Sequence, residues 1–99
     1  MQIDQERQED KLTLKIRGRL ENTTAPELQK VLERELEGIT ELGMDLKELE
    51  YLSSAGLRVL LAAAKKMKAK KGTITVYHAN EDVMEVFEIT GFKEILGIR

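Results

Sequence analysis

The stretch LGMDLKELEYLSSAGLRVLL, Leu42 to Leu61, decides how this chain is read. Leu42, Met44 and Leu46 alternate with small or polar residues, which is the period of a half-buried strand, and the strand ends in a turn near Glu48. Beyond Ser53 and Ser54 the period changes. Leu57, Leu60, Leu61, Ala64 and Met67 recur at helical spacing and mark an amphipathic helix. The two serines therefore fall beyond the carboxyl end of a strand, where the next helix begins, and open α/β sheets place their binding sites at that edge. A serine in this position has two readings. It caps the helix, because Ser is a favoured N-cap, although neither serine has Glu or Gln three residues on to complete a capping box. Alternatively its hydroxyl is held out for another protein to modify. A phosphate of about −2 charge on Ser54 would meet the free N–H groups and partial positive charge of the helix start. Ala55 and Gly56 are small enough to leave the backbone open to an approaching active site.

Working outward, KLTLKIRG (Lys11 to Gly18) alternates through Leu12, Leu14 and Ile16 and predicts a strand. Ile3 is placed on a short first strand that pairs with it as a hairpin through the polar turn at Glu9 and Asp10. In ENTTAPELQKVLERELEG (Glu21 to Gly38), Thr24 and Glu27 have capping-box spacing, Pro26 falls in the first turn and Gly38 supplies the stop. Leu28, Val31, Leu32 and Leu36 form the apolar stripe of that helix. The helix after the serines carries five lysines between Lys65 and Lys71 in its last turns, and Gly72 closes it. TITVYH (Thr73 to His78) is β-branched and aromatic, hence a strand. Asn80 offers an N-cap to a last helix, with Glu81 and Asp82 at its positive end, Val83, Val86, Phe87 and Thr90 on its inner face, and Gly91 at its end. FKEILGIR (Phe92 to Arg99) reads as a short terminal helix or an extended tail. The order is hairpin, helix, strand, helix, strand, helix. It predicts an α/β fold: one open mixed sheet, antiparallel at the opening hairpin and parallel afterwards, with helices packed on it.

The 99 residues suit one domain, 1–99, that buries about two-thirds of its unfolded surface. Cysteine is absent, which excludes disulfides and thiolate metal sites. A formal net charge of −2 argues against a dedicated nucleic-acid binder. The opening MQIDQERQEDK is polar and unlike a secretory signal, and no apolar run reaches the ~18 residues of a membrane span. The expectation is a cytoplasmic protein with no nucleic-acid partner and no membrane insertion.

Two motifs carry a resemblance over essentially the whole length. GRLENTTAPEL (Gly18 to Leu28) is similar to the strand-exit and first-helix signature of the STAS family. MDLKELEYLSSAGLRVLL (Met44 to Leu61) resembles that family's central strand and phosphorylation loop, particularly in the free-standing bacterial anti-sigma factor antagonists. The resemblance implies a STAS-like fold and a partner switch: the unmodified protein binds an anti-sigma factor, typically a serine kinase, and frees a sigma factor until phosphorylation ends the interaction. Residue by residue it implies Ser54 as the acceptor, with Gly56 and Leu57 as the Gly-Leu that follows. Many members read Asp-Ser-Ser-Gly where this chain has Ser53, Ser54, Ala55 and Gly56, and Glu21 stands where Asp is common. The missing Asp leaves Ser53 as a second candidate acceptor. The partner surface implied is the loop after Gly18 with the first turns of the Ser54 helix: Glu21, Thr23, Ser53, Ser54, Gly56 and Arg58. The alternative is an unphosphorylated STAS interaction module of a transporter or sensory complex, and the short length favours the first reading.

Other constellations are expected to be structural. His78 follows a strand and is available to a Ser54 hydrolase with Asp82 orienting its imidazole, but no Gly-x-Ser-x-Gly elbow accompanies them, so no catalytic residue is assigned. Asp45 and Glu48 lack a paired histidine motif and read as solvated loop charges rather than metal ligands. The lysines complement a helix C-terminus, and Met44, Met67 and Met84 fill the core. No glycine-rich phosphate loop is present, and no cofactor is expected.

Overall fold

The computed structural model describes residues 1–98. Strand β1 (Gln2–Gln8) turns through Glu9 and Asp10 into β2 (Lys11–Leu20), and the two pair antiparallel with Ile3 opposite Ile16. Helix α1 (Ala25–Glu35) leads to β3 (Glu41–Asp45), a short strand β4 (Leu49–Leu52) and helix α2 (Ser54–Ala69). Strand β5 (Thr73–Tyr77), helix α3 (Glu81–Ile89), a 3₁₀ turn at Phe92–Glu94 and β6 (Gly97–Ile98) complete the order. The sheet runs β1-β2-β3-β5-β6, parallel except for the hairpin, while β4 pairs parallel with the far end of β2. The predicted open mixed sheet is the observed one.

Strand register explains why the sheet holds helices. Parallel pairing brings Leu12, Leu42 and Ile74 into one row and Leu14, Met44 and Val76 into the next, and all six are buried. Leu28 and Leu32 of α1, Leu60, Ala64 and Met67 of α2, and Val83 and Phe87 of α3 join the same core. Each side chain of Leu size removed from water contributes roughly 1.5–3 kcal/mol, so this one face supplies most of the driving force. Met84 is half-buried against that core, less deeply than Met44 and Met67.

Several local expectations are corrected. Thr24 is the N-cap residue of α1 but makes no side-chain cap. Its hydroxyl instead donates to the Arg19 carbonyl at 2.7 Å and accepts from the Glu21 amide at 2.9 Å, so it braces the incoming loop. The left-handed residue after α2 is Lys71 (φ 59°), not Gly72. Gly72 is needed for space, since a Cβ there would lie 2.6 Å from the Thr40 carbonyl oxygen. Thr90 is exposed rather than on the inner face of α3, and its hydroxyl donates to Val86 O at 2.7 Å. Of the lysines, Lys70 donates to the Leu36 carbonyl at the end of α1, serving a helix terminus other than its own. The tail is both a short helical turn and a strand: β6 pairs with β5 through Gly97 and Ile98.

The largest correction is β4. The predicted turn near Glu48 does form, but the chain then re-enters the sheet before reaching the serines. Leu49 faces Gly18, Tyr51 faces Arg19 and Leu52 faces Leu20, with Glu50 bulged out of register. The bulge turns Glu50 and Tyr51 both toward solvent while Leu49 and Leu52 are buried, so the segment lacks the alternation of an ordinary strand.

Candidate functional site

Strand β4 positions the serines. Its pairing with the end of β2 lays two loops side by side: the one that leaves β2 with Glu21 and Thr23, and the one that enters α2 with Ser53 and Ser54. The Ser53 amide donates to the Leu20 carbonyl at 2.9 Å and continues that ladder into the helix start. The expected neighbours are therefore brought to one edge of the molecule. Thr23, Ser54 and Arg58 are exposed, and Glu21 and Ser53 are half-buried.

The two serines differ in their surroundings. Ser53 is the cap: its backbone is extended (φ −89°, ψ 172°) and its Oγ accepts from the Gly56 amide at 3.2 Å. Ser54 is the first residue of α2 and is exposed, so its hydroxyl stands free beside the helix N-terminus. Ser53→Ala is accordingly expected to destabilise the protein by about 1 kcal/mol, whereas Ser54→Ala leaves the thermal unfolding midpoint nearly unchanged. Paired thermal melts check this, and equal losses would contradict the division.

Gly56 does not do what the sequence suggested. It is buried, and a Cβ on it would stand 2.6 Å from Leu20 Cγ and 3.0 Å from Leu52 Cδ1. Its small size lets α2 settle on β2 and β4, and no backbone is uncovered there for a partner. Gly56 is therefore not a contact residue for a partner; it sets how close the Ser54 helix lies to the sheet.

Two residues that the sequence did not single out belong to this edge. Arg19 Nε bonds Glu21 Oε2 at 2.7 Å, and the same guanidinium lies over the Tyr51 ring at 4.4 Å from its centroid. Tyr51 is 43% exposed, unusual for a large aromatic side chain in a strand. A polar-looking bulge hid it from periodicity, and its aromatic identity was the only available signal. On the other side of Ser54, a groove of about 530 Å³ separates α1 from α2, with Asn22, Pro26 and Glu33 on one wall and Ala55, Arg58 and Lys66 on the other.

His78 is not oriented by Asp82. Its Nδ1 lies 3.3 Å from Asp45 Oδ1, and its backbone is left-handed (φ 60°). Asp45 also accepts from the Lys47 amide at 3.0 Å, while Glu48 lies 3.9 Å from Arg17. Asp45 fastens the turn between β3 and β4, while the Glu48 carboxylate is exposed to solvent, as expected. Burial by itself pushes the Asp45 carboxyl up, but the Lys47 and His78 hydrogen bonds and the charges of His78 and Lys15 outweigh it and hold the group below its ordinary 3.8. A depressed carboxyl stabilises the fold above its unfolded-state pKa, and that contribution fades as pH falls through the lower folded-state value. Asp45→Asn should therefore be less stable than the parent near neutrality, with the gap closing below pH 3.8. Urea unfolding across pH measures it, and a gap that widens in acid would reverse the assignment.

Comparison with known proteins agrees with this geometry. The family model described as "Mlab, STAS domain" matches residues 3–97. The anti-sigma-B factor antagonist of Listeria monocytogenes is 31% identical over 96 residues, which are 95% of this chain and 83% of that protein. Among solved structures, an anti-sigma factor antagonist from Mycobacterium paratuberculosis superposes with a TM-score of 0.87 at 21% identity, over 98% of this chain and 83% of that one. The antagonist SpoIIAA in its unphosphorylated form gives 0.78 at 12% identity, over 99% and 87% of the two chains. The same antagonist in its phosphorylated form gives 0.73 at 13% identity, over 99% and 91%. With a hairpin-led mixed sheet, an exposed serine opening its central helix and a family model that spans nearly all of it, this chain belongs to the STAS domain family.

Proposed function

We propose that the chain is an anti-sigma factor antagonist whose partner is a serine-kinase anti-sigma factor, and that phosphorylation of Ser54 ends their interaction. One observation carries the reading: Ser53 is committed to capping α2 while Ser54, next to it, is exposed and makes no side-chain hydrogen bond among the described residues. A regulatory acceptor has to be reachable by a kinase and replaceable without harm to the fold; the exposure of Ser54 supports the first condition, and the Ser54→Ala melt tests the second. The relatives named as antagonists support the class of partner.

The chemistry asked of this chain is modest. In the complex the Ser54 oxygen attacks the γ-phosphorus of ATP held by the kinase, ADP leaves, and the hydroxyl proton passes to a base of the kinase. The antagonist contributes a positioned nucleophile on a rigid helix start and no catalytic group. The phosphoserine then sits where the helix dipole favours an anion, so the fold tolerates it. No helix among the described residues is long and apolar enough to cross a membrane, and we place the protein in the cytoplasm with its partner.

The test is direct. Kinase-type anti-sigma factors from the same organism are incubated with the protein and ATP, and the antagonist is weighed by mass spectrometry. A gain of one phosphate by the parent and by Ser53→Ala, and none by Ser54→Ala, is expected. Unimpaired transfer to Ser54→Ala overturns the assignment, and no transfer to any of the three favours a constitutive interaction module.

A further inference from the structure

The charged groups nearest the serines mostly have partners. Arg19 is held by Glu21 and Tyr51, and His78 by Asp45. Glu33, the acidic side chain of the α1/α2 groove, accepts from Gln29 at 3.1 Å. Arg58 differs. It is exposed at the mouth of that groove, and among the described residues it enters none of the ion pairs. It also stands four residues after Ser54 on a continuous helix.

That spacing has a chemical consequence once Ser54 is modified. Residues four apart on a helix share a face, with their Cβ atoms about 5–6 Å apart. The anion lies on the N-terminal side and the cation on the C-terminal side, the favourable order for such a pair. A guanidinium also matches a phosphate through two parallel N–H donors, which an ammonium cannot offer. Resting on the reading of Ser54 as acceptor, we propose that Arg58 is the receptor for its phosphate: the guanidinium folds back one turn and clamps the phosphoserine on the antagonist's own helix. The modification then alters the partner surface twice. It adds a dianion at Ser54, and it withdraws from the groove mouth a cation that was free to meet a carboxylate of the partner.

The test needs no kinase. Phosphoserine is installed at position 54 during translation, and its phosphorus NMR signal is followed through the second ionisation. A clamp favours the dianion, so Arg58→Gln should raise the phosphate pKa by about 0.2–0.4 from the value in the otherwise unchanged phosphoprotein, the shift expected for one exposed i,i+4 pair. Lys68→Gln removes the same charge from α2 about 21 Å along the helix, beyond the screening length, and should move the titration by less than about 0.1. Arg58→Lys should fall between them, since it keeps the charge and loses the fork. The Arg58 Nε–H resonance should sharpen and shift on phosphorylation. Identical titrations for the parent and Arg58→Gln overturn the clamp, and so does an equal shift for Arg58→Gln and Lys68→Gln, which would make it a general charge effect. Because the phosphate is installed directly, an unshifted titration leaves the kinase reading standing, and a kinase that ignores Ser54 leaves the titration intact.

Discussion

Gly56→Leu is expected to destabilise the protein by more than about 3 kcal/mol, and Gly56→Ala by about 1–2 kcal/mol. The second figure is the more telling, because Ala in place of Gly inside a helix ordinarily gains about 1 kcal/mol. Packing reverses the sign here. An added Cβ would sit 2.6 Å from Leu20 Cγ, 3.0 Å from Leu52 Cδ1 and 3.1 Å from Leu20 Cδ2. Neither leucine can step aside easily. Leu20 is 0% and Leu52 7% exposed, at the ends of β2 and β4, and the Ser53 amide ties the helix start to the Leu20 carbonyl. A larger residue must either lift α2 from the sheet or force both leucines off their rotamers. Urea unfolding of the two variants measures the cost. Adding Leu20→Ala should return part of the loss in Gly56→Ala, since the first clash is with Leu20, and the double-mutant cycle isolates that term. A Gly56→Ala protein more stable than the parent would show that the helix already has room, and Gly56 would go back to being a candidate contact residue.

The same glycine shows where reading the sequence succeeds and where it stops. Alternation at Leu12, Leu14 and Ile16 and at Leu42, Met44 and Leu46, with helical spacing in between, determined the layers, because each pattern reports a face turned to one core. The cap at Asn80 was legible for a similar reason: it is a local bond, Asn80 Oδ1 accepting from the Val83 amide at 2.8 Å. What stayed hidden depends on contacts that spacing along the chain does not report. Thr24 had the right spacing for a capping box, but its hydroxyl oxygen accepts from the Glu21 amide of the incoming loop instead of from the helix. Gly56 had the look of an open loop glycine, and only the approach of Leu20 and Leu52 makes it a spacer. β4 escaped because a bulge places two successive residues outward, so a four-residue strand carries no period of two. The sequence thus located the edge where Glu21, Thr23, Ser53, Ser54 and Arg58 meet, but not the cap at Ser53, the spacer role of Gly56, or Arg19 and Tyr51 beside them.

Ser54→Asp is expected to weaken binding to the kinase-type anti-sigma factor at least 100-fold, a loss of about 3 kcal/mol or more, while leaving the fold intact. The two effects separate because they draw on different surroundings. In the free protein, position 54 is exposed in the first turn of α2, where a carboxylate is favoured by the helix dipole, so stability should change by no more than about 1 kcal/mol. In the proposed complex the same position would be covered. A serine there gives up little hydration, whereas a carboxylate must shed its water and face the acidic group that a kinase keeps near its acceptor hydroxyl. Burying like charges together costs several kcal/mol, far more than a charge at the rim, whose effect falls mainly on the association rate. Ser54→Ala removes one small hydroxyl and should lower affinity by no more than about fivefold, since a single neutral hydrogen bond is worth about 1 kcal/mol. Thr23→Ala, also exposed on the adjoining loop, tests the extent of the surface and should weaken binding modestly, by about 1 kcal/mol. Calorimetry on proteins first checked by circular dichroism gives all four affinities. If the parent and Ser54→Asp bind equally, the partner surface lies elsewhere on the molecule. If Ser54→Asp loses its folded spectrum instead, Ser54 is structural and the division of labour with Ser53 fails. Only a folded variant that no longer binds has the properties of an antagonist switched by charge at the start of α2.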